Sequence, residues 1–188
     1  MNWTNLTIAQ VDELNSIDAN LTANERLDEA FEIIYGVKMR SLPTPEYVDK
    51  INDLDFLTSS PKLHPISTQN IKINNREYKL VVNLNNLTAG QYIDIQEFIK
   101  LRSATYYQDI LSAILVQSGM TYDTEDILQV RNDIKTLDAI TGMSTVSFFF
   151  VCLGYYIKNT QAFLHQEMKK SKKKKKKIGS PRNGRGCE

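Results

Sequence analysis

Apolar positions recur at helical spacing along most of the chain. Leu6, Val11, Leu14 and Ile17 predict a short helix over residues 5–17. Thr22-Ala-Asn-Glu25 is a capping box, in which a Thr hydroxyl and a Glu carboxylate satisfy each other's orphan backbone donors. Leu27, Ala30, Phe31, Ile34 and Tyr35 follow it at helical spacing, and Gly36 stops the helix. A third helix starts at Thr44-Pro45-Glu46, with Pro45 in the tolerated first turn, and carries Tyr47, Val48, Ile51, Leu54 and Leu57. Pro61 and Pro65 bound a connector.

At Ile71 the period changes to two. Ile71, Ile73, Tyr78, Leu80, Val82 and Leu84 alternate with polar residues around Asn74-Asn75, a pair that tolerates left-handed backbone, so residues 70–84 predict a β-hairpin. Thr88-Ala-Gly-Gln91 is a second capping box and opens a helix with Tyr92, Ile95, Phe98, Ile99 and Leu101. Tyr107, Ile110, Leu111, Ile114 and Leu115 predict another over 104–116, broken at Gln117–Met120. Asp123–Asp126 starts one carrying Ile127, Val130 and Ile134. Between Asp138 and Lys158 lies the uncharged run AITGMSTVSFFFVCLGYYI, whose helix is expected to continue to about Lys170. The fold class expected is mainly α (α+β): a multi-helix domain over residues 1–168 with one small hairpin, then a disordered basic C-terminal tail over 169–188.

Charge sharpens that division. The formal net charge of +1 hides 13 basic against 21 acidic residues in positions 1–168 and a tail of +9, with eight lysines within Lys169–Lys177. An acidic body repels a phosphate backbone, so nucleic acid is not an expected partner of the domain. Cys152 and Cys187 make neither a disulfide framework nor a metal spacing, and residues 1–14 have no basic and apolar leader regions, so a reducing cytosol is expected. His64 and His165 have no nucleophile motif beside them, and no phosphate loop, H-E-x-x-H or C-x-x-C is present. No catalysis, cofactor, metal or small-molecule substrate is expected.

The uncharged run supports two readings. At about 1.5 Å per residue it reaches about 28 Å, near a bilayer's hydrocarbon thickness of about 30 Å, and basic residues follow it, so a tail-anchored membrane helix over 139–157 is one. Thr141, Gly142, Ser144, Thr145 and Ser147 dilute its first half, which favours a core helix of a soluble domain instead. Phe148, Phe149 and Phe150 together span about 200° of a helix, too much for one-sided packing to hide. With Tyr155 and Tyr156 they are the candidate partner-binding residues. The lysine run reads as a solvated tail, as a polybasic lipid anchor lacking its second signal, or as a nucleic-acid arm lacking interleaved aromatics. Alternatively, a run of adenines encoding Lys172–Lys177 would let a tRNA re-pair in a shifted frame, leaving IGSPRNGRGCE as a by-product.

Several stretches together resemble one family. WTNLTIAQVDEL, the step Ser41-Leu42-Pro43, the hairpin IKINNREYKL, LTAGQYIDIQEF over Leu87–Phe98, and the late SFFF over Ser147–Phe150 are similar to tail assembly chaperones of tailed bacteriophages, especially phages of gut bacteria. The resemblance spans about residues 3–165. It implies a helical chaperone in the host cytoplasm that coats the tape-measure protein and brings tail-tube subunits to it. It further implies a programmed frameshift near the gene's end, where the lysine run falls. Self-association is among the expected interactions. A structural virion component, such as a head–tail connector, is the remaining alternative.

Overall fold

The structure, a computed structural model, describes residues 1–66, 69–123 and 126–178, without the side chains of 162–178. It divides into a unit over Met1–Phe150 and a second that begins at Val151. The fold is mainly helical with a small sheet. The helices are α1 (Ile8–Ser16), α2 (Ala23–Tyr35), α3 (Thr44–Asn52), α4 (Ala89–Leu101), α5 (Tyr106–Ile114), α6 (Ile127–Lys135) and α7 (Ala139–Ile178). The strands β1 (Asn70–Ile73), β2 (Arg76–Leu80) and β3 (Leu115–Gln117) form one antiparallel sheet in that order.

Local signals explain most boundaries. Both capping boxes form: Thr22 Oγ1 accepts from the Glu25 amide while Glu25 accepts from the Thr22 amide, and Thr88 and Gln91 do the same. Gly36 takes the left-handed conformation that ends α2. Asn74 and Asn75, both at positive φ, make the two-residue turn of the hairpin.

Long-range hydrogen bonds explain the departures. The helix expected over 5–17 is shortened to α1, because Leu6 and Ile8 lie beside the start of α7. The Ile8 amide donates to the Leu137 carbonyl at 2.8 Å and the Ala139 amide to the Leu6 carbonyl at 2.9 Å. Thr7 caps α1 with Gln10 just inside that pairing. The helix expected over 104–116 stops at Ile114, since Leu115–Gln117 join the sheet as β3, with buried Leu115 opposite buried Leu80. The hairpin's second strand ends at Leu80, and Leu84 sits in a 3-10 turn over Leu84–Asn86. α7 runs to Ile178 and takes in the lysines expected to begin a disordered tail at 169. Lysine is a good helix former, and no glycine or proline interrupts the chain between Gly154 and Gly179. Residues 179–188 of that expected tail lie outside the described residues.

In the first unit α5 is the central helix, buried from Gln108 to Ile114 and packed against α1, α4 and α6. A second focus gathers Leu6, Val11, Phe31, Ile34, Leu54 and Ala139. α1 and α7 approach so closely that a methyl group at Gly142 would overlap Cγ1 and Cδ1 of Ile8, itself fully buried. Gly142→Ala is therefore expected to cost about 1–3 kcal/mol in urea unfolding. Ile8→Ala in the same chain should recover part of that loss, a non-additivity that a double-mutant cycle measures.

Candidate functional site

Buried carboxylates are the first place to look for chemistry, and three are held among the described residues of the first unit. Asp12 on α1 accepts hydrogen bonds from the backbone amides of Tyr107 and Gln108 at 2.9 and 3.0 Å and from Gln108 Nε2 at 3.0 Å. It caps α5 from another helix, where the side chain of the local N-cap, Thr105, accepts no hydrogen bond from the first amides of the helix. Burial pushes its carboxyl above the usual range, against those hydrogen bonds. Asp109 accepts from Ser103 Oγ at 2.6 Å, Thr105 Oγ1 at 2.9 Å and the Arg131 guanidinium at 3.1 Å.

Asp133 on α6 clamps the hairpin. It accepts from Tyr78 Oη at 2.6 Å, Asn74 Nδ2 at 3.0 Å and Arg76, whose nearer contact is 2.7 Å. Burial pushes its carboxyl up, but the hydrogen bonds from Tyr78, Asn74 and Arg76 outweigh it, and the acid is held below its usual range. All three carboxylates are thus engaged in holding elements together. Among the described residues no group of His, Cys, Asp and Glu is arranged to hold a metal ion. A groove of about 590 Å³ lies between β2, β3 and the start of α4, lined by Lys79, Val81, Thr88, Val116 and Met120 among others. Among the described residues Lys79 is the only charged one that lines it, and no acid–base pair is brought together there.

The aromatic residues singled out in the sequence separate on α7. Phe149 is 1% exposed and belongs to the core, which corrects its assignment as a contact residue. It follows buried Val146 by three positions and so shares the inward side of the helix. Phe148 and Phe150 are half-buried, with the Phe150 ring edge-on to Phe149 at 5.8 Å between centroids. In the second unit Tyr155 is 66% and Tyr156 41% exposed. Two residues missed in the sequence join them: Val151 at 53% and Ile157 at 41%. Val151 and Tyr155 are four positions apart, hence neighbours on one helix face. That phase was available from the sequence, once Phe149 was set on the inward side.

No family model, curated protein or solved structure matches this chain. The site's chemistry is therefore read from its own residues: an uncharged, aromatic-rich stretch of helix presented to solvent.

Proposed function

We propose that this protein is a non-catalytic assembly chaperone of a tailed bacteriophage, which binds the tape-measure protein and brings tail-tube subunits to it in the host cytoplasm. One observation carries the reading: Val151, Tyr155, Tyr156 and Ile157 expose apolar surface on consecutive turns of α7. Exposed apolar surface marks a candidate contact site, and a helix presenting it fits a helix-in-groove or helix-on-helix partner. A ruler protein built on apolar helical stripes needs such stripes covered until its tube is assembled. The resemblance of the sequence to tail assembly chaperones suggests the partner, and the exposed helix offers a means of holding it.

Co-expression tests this. The tape-measure protein from the same genome should be soluble with this chain. It should be insoluble alone or with the Val151→Ser, Tyr155→Ser, Ile157→Ser variant. Equal solubility in all three cases would refute the reading.

A second reading has its own observation. Ala139–Gln161 is long and apolar enough to cross a bilayer, at a mean hydropathy of 1.5. Yet 39% of that window is buried inside the protein, chiefly over Ala139–Phe149, where the helix packs within the first unit. Recovery of the chain in the soluble fraction without detergent excludes a membrane anchor.

A further inference from the structure

The chain carries two opposite charge concentrations. Residues 1–57, which form α1, α2, α3 and the 3-10 turn after α3, hold 11 acidic and four basic side chains, a net of −7. Only Asp12 among those acids is buried. Glu25, Glu29 and Glu32 recur on α2 at positions i, i+4 and i+7 and are exposed, as are Glu46 and Asp49 on α3. Among the described residues no ion pair engages Glu29, Glu32 or Asp49.

The opposite charge sits on α7, where Lys169–Lys177 supplies eight lysines. Nine consecutive helical positions pass round the axis more than twice. The helix has no break between Val151 and Ile178, so the lysines begin about 27 Å beyond Val151 along its axis. They are set well apart from the exposed apolar residues of the same unit.

We propose that the lysine segment of one copy docks on the acidic α2–α3 surface of a second copy, a head-to-tail contact between identical chains. The two charges are nearly equal in size and opposite in sign, and each chain carries one of each, so every copy offers both halves of the contact. Such an interface is heterologous: it repeats from copy to copy and closes into a ring or extends according to its rotation. Being built from opposite charges, it is governed by salt, because the screening length is about 10 Å at about 0.1 M and about 3 Å at about 1 M. It leaves Val151, Tyr155 and Ile157 free for a different partner, and it holds whether or not that partner is a tape-measure protein.

The experiment is sedimentation velocity on the nuclease-treated full chain. In low salt the average mass should exceed the monomer's 21.5 kDa and rise with concentration. It should return to the monomer near 1 M salt, about the concentration where screening is shortest. Replacing Lys172–Lys177 with glutamine should leave a monomer throughout. Two charge-reversed chains supply the decisive arm: one with Glu29→Lys, Glu32→Lys and Asp49→Lys, the other with Lys172–Lys177 replaced by glutamate. Each alone should be monomeric, and their mixture should associate. A monomer in low salt, association that survives high salt or loss of the lysines, or a mixture that stays monomeric would each overturn the proposal. So would association that appears only when RNA is present, or a lysine variant whose sole change is a larger hydrodynamic radius, the mark of a contact within one chain.

Discussion

Phe149→Ala is expected to lower the unfolding free energy by about 3–5 kcal/mol, the usual cost of emptying a buried phenylalanine site. Tyr155→Ala, on the same helix, should shift it by no more than about 0.5 kcal/mol. The contrast follows from the 1% and 66% exposures of the two side chains. Binding should sort the other way: Tyr155→Ala weakens partner capture with the fold intact, whereas Phe149→Ala weakens it only where the protein has unfolded. Urea unfolding at one temperature, read beside pull-down yield, separates the two effects. A Phe149→Ala chain as stable as the parent would show that Phe149 does not belong to the core.

Asp12→Ala should be nearly as damaging, at about 3 kcal/mol. It strands the amides of Tyr107 and Gln108 and the Gln108 side chain at the start of the central helix, with no local cap to replace it. The pH dependence of the milder Asp12→Asn variant distinguishes this site from Asp133. The Asp12 carboxyl is raised in the fold, so the folded state holds its proton more tightly than the unfolded chain. Its contribution is fully present below the ordinary value of 3.8 and is lost as pH rises through the raised folded value. The stability difference between parent and Asp12→Asn should therefore shrink as pH rises from about that value toward neutrality.

Asp133 has the opposite sign. Its carboxyl is lowered in the fold, so its contribution is present above 3.8 and fades as pH falls through the lowered value. The parent's advantage over Asp133→Asn should be constant near neutrality and decline only in acid. Parallel pH profiles for the two variants would contradict these assignments.

What the sequence made legible was local. The capping boxes at Thr22 and Thr88, the stop at Gly36 and the Asn74-Asn75 turn each act within a few residues, and each is where the pattern placed it. What it concealed was set by distant partners. Nothing near Leu115 announces a strand; it is one because Leu80 and Tyr78 stand ready to pair with it and its neighbours. Nothing near Thr105 announces that the cap of α5 comes from Asp12, since that bond joins residues far apart in the chain. The same limit governs the site. Five aromatic residues in a short span showed that some surface must remain uncovered, but not which. Only the packing of α7 puts Phe149 inside and adds Val151 and Ile157 to the exposed set.

Hydrogen exchange of the full chain, alone and mixed with the tape-measure protein proposed as its partner, tests that assignment most directly. The backbone amides of Val151–Ile157 should exchange more slowly in the complex by at least about tenfold, the factor that about 1.4 kcal/mol of local stabilisation gives. Unchanged exchange over Val151–Ile157, with protection appearing only in the first unit or nowhere, would contradict it.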